Sequence, residues 1–385
     1  MTVAPAGALA LGVACAILAG PARAAAAPAA AHTPARVTPR GTDRGTDRVV
    51  PAFAWHLPRG FPVPAVPADN PMSRAKVALG RKLFHDPTLS VTGRYSCASC
   101  HDPARSFTDG RRLAIGATGE TLRHNAMALV NVAYGIAFGW TEPAPRSLEA
   151  QMLEPMLNQH PVELGLNGRK REVVASLSRD AGYRREFAAA FSGEQPALRF
   201  RNVVKAIACF ERTLISGDSP FDRYVFGDQL DALSPAAKRG MGLFFSKRLG
   251  CASCHSGFDF DGNWRDAQGE TGPASFANDG TSREPIRVPT LRNLRYTAPY
   301  MHDGRYATLA AVIDHYVDVG DQPDSRHGGV RDPRLRRFTL SRRESKDLVA
   351  FLESLSDPSF VSRYSGRTSP RPRIPLPLPR SIRGP

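Results

Sequence analysis

The sequence predicts a mainly α-helical protein in which two small domains follow one another in tandem, with long loops between their helices. Three observations carry that expectation. The five-residue word Cys-Ala-Ser-Cys-His occurs twice, at 97–101 and at 251–255. Landmarks around the two copies repeat as well: Gly80, Leu83 and Phe84 precede the first as Gly240, Leu243 and Phe244 precede the second. The i, i+4 pairs Phe210/Leu214 and Phe351/Leu355 follow, each just ahead of a turn rich in Ser, Asp and Pro, 216–221 and 356–360. Finally, stretches such as Glu172 to Leu177 and Phe200 to Leu214 carry apolar residues at helical spacing, whereas sustained strand-type alternation is scarce.

A chain of 385 residues has room for two ordinary domains and tails, because single cores stop growing at roughly 250 to 300 residues. The apolar run from Ala6 to Gly20, stopped by Pro21 and followed by Ala22-Arg23-Ala24, predicts a signal peptide over 1–24. The run is shorter than the ~20 residues that span a bilayer, so no stable membrane insertion is expected once it is removed. Residues 25–68, rich in Ala, Pro, Arg and Thr with Gly-Thr-Asp-Arg repeated at 41–48, predict a disordered linker. Order is expected from Asn70-Pro71, opening a helix with Met72, Ala75, Leu79 and Leu83 on one face. The first word then falls in a domain over 69–217 and the second in a domain over 218–362. Residues 363–385, rich in Arg and Pro, read as an extended tail.

Two loops, 102–122 and 256–289, are long enough to serve function. In the second, Asp259, Asp261, Asn263 and Glu270 imitate a calcium loop, but Trp264 stands where that loop needs Gly, so a polar turn is expected. The net charge of +15 comes from scattered arginines without a recognition motif, which speaks against nucleic acid and suits a solvated basic surface that meets an acidic redox protein or merely keeps the protein soluble.

The repeated word has a specific chemistry. Two cysteines separated by two residues can each add a sulfur to a vinyl group of one haem, and the adjacent histidine then lies under the iron. Composition alone would produce one such word about 0.002 times in this chain. A zinc knuckle or a redox dithiol also uses Cys-x-x-Cys, but neither needs the following histidine both times. Cys97, Cys100 and His101, with Cys251, Cys254 and His255, are therefore expected to hold two covalently bound haem c groups, and the fold to be two tandem cytochrome c-like helical haem domains. Cys209, among apolar neighbours, is expected to pack as a small hydrophobe.

Over residues 70 to 360 the chain resembles the bacterial dihaem cytochrome c peroxidase superfamily, including its MauG-like branch. The motifs are 79–84, the two haem words, Asn125, Trp140, Gln151 through Glu163, 210–214, 219–222, 288–293 and 300–304. The resemblance implies export to the periplasm, since such haems are attached outside the cytoplasm. It makes the first domain peroxidatic and the second an electron-transfer domain. It implies Tyr316 as the second axial ligand of the His255 haem, with Met301 the substitute, and His302 as a structural residue. A phenolate favours ferric iron, so this haem is not expected to be a high-potential store. Around the His101 haem it implies a distal pocket of Gln151, Pro155 and Glu163, although Gln159-His160 lengthens the spacing and could bring Glu154 or His160 into the place of Glu163. Classical members carry a distal histidine in the loop that here reads Ile115-Gly116-Ala117-Thr118-Gly119, so the His101 iron is expected to be open. Trp140 is implied as a relay between the haems, and Asn125 with the backbone oxygens of Thr297 and Pro299 as a structural calcium site.

The primary expectation is an exported dihaem oxidoreductase that reduces hydrogen peroxide with electrons from a small redox protein. The alternative is a MauG-like enzyme that uses peroxide-derived oxidising equivalents to oxidise Trp or Tyr side chains of a partner protein. The open His101 iron and Tyr316 favour it; Leu249-Gly250, in place of a surface Trp before the second word, speak against it. The last alternative is a dihaem electron carrier without turnover.

Overall fold

The computed structural model describes residues 53–262, 276–319 and 330–366. The signal-peptide expectation, residues 25–52 of the linker, Asn263, Trp264 and Glu270 of the acidic loop and residues 367–385 of the tail lie outside them.

The first helix, α1 (Arg74–Phe84), starts four residues later than Asn70, because the Ser73 side chain accepts the Lys76 N–H and so caps it. Asn70 is buried instead, its amide donating to Glu149 at 2.6 Å and to the Lys205 carbonyl at 3.0 Å. The haem word forms the short α2 (Cys97–Cys100), followed by α3 (Leu148–Gln151), α4 (Leu153–Leu157), α5 (Lys170–Ser178), α6 (Ala181–Ala190) and the strongly amphipathic α7 (Phe200–Glu211). The second half repeats the plan with α8 (Pro220–Val225), α9 (Pro235–Phe244), α10 (Leu309–Val319), α11 (Arg342–Ser354) and α12 (Pro358–Tyr364). Ser219, Ser234 and Ser341 cap α8, α9 and α11, with Pro at the first helical position of the first two. A two-residue antiparallel pair, Phe276–Ala277 with Ile286–Arg287, pairs Phe276 with Arg287 and Ala277 with Ile286.

The sequence echo is a structural one. A Cβ on Gly80 would stand 1.9 Å from the Ala206 carbonyl oxygen and 3.0 Å from Phe210 Cβ; on Gly240 it would stand 1.9 Å from the Asp347 oxygen and 2.9 Å from Phe351 Cβ. In each half a glycine lets two helices, α1 and α7 or α9 and α11, touch backbone to backbone. Two hydrophobic cores result, one around Leu83, Phe84, Phe107 and Phe210, the other around Phe244, Phe260, Phe351 and Leu355.

Two sequence expectations need correction. Residues 53–68, expected as the end of a disordered linker, are packed: Phe61 is buried against Phe258 (ring centroids 4.9 Å apart) and under the Arg292 guanidinium (4.9 Å), and Tyr134 donates to the Pro62 carbonyl. An aromatic anchor with a cation above it outweighs the composition of the stretch. Nor does the second domain run unbroken to residue 362. Helix α12 packs into the first core, Phe360 and Tyr364 lying 5.9 and 5.6 Å from Phe107 and Tyr364 donating to the Thr213 carbonyl. Its counterpart α8 packs Phe221 into the second core, 5.2 Å from Phe260.

Paired asparagines hold these crossings. Asn131 and Asn293 both adopt left-handed backbone, with φ of 57° and 63°. Asn131 donates its backbone N–H to Leu214 and its side chain to Ser216 and Asp259; Asn293 donates its N–H to Leu355 and its side chain to Ser106, and accepts the Asp357 N–H. Among the described residues no helix is long and apolar enough to cross a membrane.

Candidate functional site: two linked cavities

Each haem word sits at the wall of its own cavity, and the histidine is oriented in the same way in both. His101 Nδ1–H donates to the Phe107 carbonyl and His255 Nδ1–H to the Phe260 carbonyl, each at 2.9 Å. Both acceptor residues have left-handed backbone, φ 62° at Phe107 and 55° at Phe260, which turns the carbonyl back onto the ring. Fixing Nδ1 leaves Nε2 for a metal, the usual way a second partner sets the tautomer of a ligating histidine. Burial favours the neutral imidazole in both, the form that binds iron. Burial also pushes the thiols upward, Cys100 and Cys251 to about 11, which is opposite to the low-pKa thiolate of a redox dithiol. The donor sets therefore fit haem and do not fit the dithiol alternative.

The cavity at His101 encloses about 390 Å³ and is lined by Trp140, Gln151, Pro155 and Glu163 together with the haem word. Gln151 ends α3 and Pro155 lies within α4, while Glu163 is returned to them by backbone bonds from Leu164 to Pro155 and from Ala117 to Glu163. Glu163 thus lines the cavity with the extra residues Gln159-His160 in place. Glu154 and His160 line the same cavity, so the alternatives the sequence left open are additions to Glu163 rather than replacements. Burial, reinforced by Glu154, pushes Glu163 up to about 7.

The cavity at His255 is smaller, about 210 Å³, and both Tyr316 and Met301 reach it. Tyr316 projects from α10; its neighbour His315 is turned away, with Nδ1 3.1 Å from the Tyr306 hydroxyl and Nε2 2.9 Å from the Asp279 carbonyl. Burial and the Asp279 carboxylate push the Tyr316 phenol upward.

Trp140 lines both cavities. Its indole N–H donates to the Asn125 carbonyl at 2.8 Å, and the Asn125 N–H donates to the His302 carbonyl at 2.7 Å. The rings of His124 and His302 lie 6.5 and 6.4 Å from the indole and 5.8 Å from each other. Sequence reasoning missed His124 and Arg287, which lines both cavities as well. Their only signal was adjacency to Asn125 and to the 288–293 motif. The Asn125 amide donates to the Arg111 carbonyl at 2.6 Å, and its backbone N–H bonds the His302 carbonyl, in the segment that follows Thr297 and Pro299. Among the described residues no group of three or more His, Cys, Asp or Glu side chains gathers as a metal site. Asp259 and Asp261 of the acidic loop are buried, and Asp259 meets Asn131 at 2.7 Å and Arg292 at 3.2 Å.

Comparison with known proteins agrees with this geometry. Residues 74–230 match the family described as di-haem cytochrome c peroxidase. The chain is 39 % identical over 304 residues to the methylamine utilization protein MauG of Methylorubrum extorquens, covering 77 % of this chain and 82 % of that protein. It is 33 % identical over 356 residues to the cytochrome-c peroxidase IdrP1 of Pseudomonas sp. strain SCT, covering 83 % and 90 %. A crystal structure of a MauG-like protein associated with microbial copper homeostasis superposes with a TM-score of 0.74 at 36 % identity, covering 80 % of this chain and 97 % of that one. Two haem words, two cavities and relatives of both kinds lead to one conclusion: the chain belongs to the di-haem cytochrome c peroxidase family and is a two-haem oxidoreductase of the peroxidase type.

Proposed function

We propose that this protein reduces hydrogen peroxide to water at the His101 site, with electrons from a small redox protein entering by the His255 site. The reaction consumes one peroxide, two electrons and two protons and yields two waters. The haems, covalently attached through Cys97, Cys100, Cys251 and Cys254 and ligated by His101 and His255, supply the redox change when bound. The observation that carries the reading is the gathering of Gln151, Pro155 and Glu163 in one cavity with His101. A carboxyl raised to about 7 is half protonated near neutrality, so Glu163 takes a proton from one peroxide oxygen or returns one to the other. Gln151 orients the peroxide through its amide. Tyr316 closes the His255 site with its phenol oxygen, which leaves that site to electron transfer. Trp140 joins the two cavities and relays oxidising equivalents between them.

The second reading, oxidation of Trp or Tyr side chains on a partner protein, is favoured by Tyr316 and by the absence of histidine from Ile115 to Gly119. One experiment separates the readings: peroxide is added to the resting diferric protein and the spectrum followed, then turnover is measured with reduced cytochrome c. Inertness until one haem is reduced, followed by turnover, supports peroxide reduction with an external donor. An immediate two-electron change without turnover supports the protein-modifying reading, and silence in both leaves an electron carrier. Export to the periplasm and a calcium ion between the Asn125 oxygen and the carbonyls of Thr297 and Pro299 belong to the same proposal. The ion is checked by metal analysis before and after chelation.

A further inference from the structure

The internal repeat supplies a control that a single haem domain lacks. Because Gly80 meets Ala206 and Phe210 just as Gly240 meets Asp347 and Phe351, the register of α7 against α11 is fixed, and Glu211 corresponds to Leu352. Both side chains line the cavity of their own half. Leu352 is what such a place calls for. Glu211 is not: it is 6 % exposed, its Oε2 has no hydrogen-bond partner, and it is the last residue of α7, where the helix dipole disfavours an anion. A buried carboxyl oxygen without a partner costs stability and calls for an explanation.

Burial outweighs the downward pull of Arg212 on the Glu211 carboxyl, and Glu149 opposes that pull. Arg212, the next residue, is committed to both oxygens of Glu149 from α3, at 2.8 and 2.7 Å. From α1, Lys76 is held by Asn70 and Lys82 by Glu186; from α5, Glu172 is held by Arg169. From α2, Cys97 and Cys100 are uncharged thioethers once the haem is attached. Glu154, Glu163, Arg123, His124, His160 and Arg287 lie around the rest of the cavity.

We infer that Glu211 is the redox-linked proton site of the His101 half: it takes up one proton when a redox partner delivers one electron there and releases it on reoxidation, while the matching position of the His255 half holds the non-titrating Leu352. The electron and proton enter together, so the buried pocket gains no net charge, and the carboxylate becomes a carboxylic acid. The inference rests on the reading of 97–101 as a haem-attachment word and is independent of what is reduced there.

The test is spectroelectrochemical titration of the holoprotein from pH 6 to 10 in the wild type, Glu211→Gln, Glu211→Leu and Glu163→Gln. Burial raises Glu211 to about 8, so the wave of the His101 half in the wild type should shift the reduction equilibrium tenfold per pH unit around that value, about 59 mV. Glu211→Gln should flatten the sloping wave while haem content and circular dichroism stay unchanged. Glu163→Gln should leave the slope. Two flat waves in the wild type, a slope that survives Glu211→Gln, or a slope removed by Glu163→Gln alone would overturn the inference. The isosteric Gln keeps the test decisive if the Leu variant folds poorly. Loss of haem from the wild type would count against the attachment word, a result distinct from any of these.

Discussion

The N-terminal and C-terminal halves are the same scaffold carrying different contents. Gly80 and Gly240 make the same backbone contact, Phe107 and Phe260 turn their carbonyls onto the histidines in the same way, and Asn131 and Asn293 hold the same crossings. What differs is the lining: Gln151, Pro155, Glu163 and Glu211 at about 390 Å³ against Tyr316, Met301 and Leu352 at about 210 Å³. The two halves share the parts that fold and orient, and they differ in cavity-lining residues, among them Glu211 and Leu352 on the helix pairs themselves.

The comparison can be broken or sharpened in several ways. The largest effect is expected from His101→Ala, which should abolish the spectral response to peroxide. Cys209→Ala, a buried thiol outside both cavities, should retain it; two silent variants would contradict the division of roles. Glu163→Gln removes an acid–base group and should slow steady turnover by roughly 10²- to 10⁴-fold. A change confined to KM would mark the residue as binding only. Phe360→Ala should destabilise the half that holds His101 although it lies in the last helix, by about 3 to 5 kcal/mol in denaturant unfolding. Phe221→Ala should do the same to the other half, and proteolysis that reports the damage in the sequence-adjacent half instead would break the crossed arrangement. Tyr316→Phe should convert one haem from low to high spin and leave the second spectrum alone.

The smallest effect is a slope in stability. Glu163 and Glu211 bind protons more tightly folded than unfolded, with values raised from 4.5 to about 7 and about 8. Stability should therefore be greatest below about pH 4.5 as far as these groups are concerned and decline as pH rises through 7 and 8. Replacing both with Gln should flatten that decline in thermal melts.

Much of this was legible in the sequence because it is carried by local words. The haem-binding pentapeptides, the Gly-x-x-Leu-Phe segments and the Phe–Leu pairs are short-range patterns whose meaning survives without tertiary context. The partners of those words were not legible. Nothing in the spacing of Phe360 indicates that it crosses to Phe107, because the choice between two equivalent cores is made by turn geometry at Asp357 and Asn293. Phe61 was hidden for another reason: a Pro-rich, aperiodic stretch reads as disorder unless the Arg292 and Phe258 surfaces that receive it are known. Glu163 was legible by resemblance, but its persistence after the Gln159-His160 insertion depends on the backbone bond of Ala117 to it.

The placement of α12 also sets an order of assembly. A chain that emerges from its amino end first can finish the core around Phe260 once α11 has followed, since Phe221 is already present. The core around Phe107 must wait for Phe360 and Tyr364, which belong to the last described helix. The half whose residues come first is thus sealed by residues of the last described helix, and its histidine loop stays unbacked until that helix has followed.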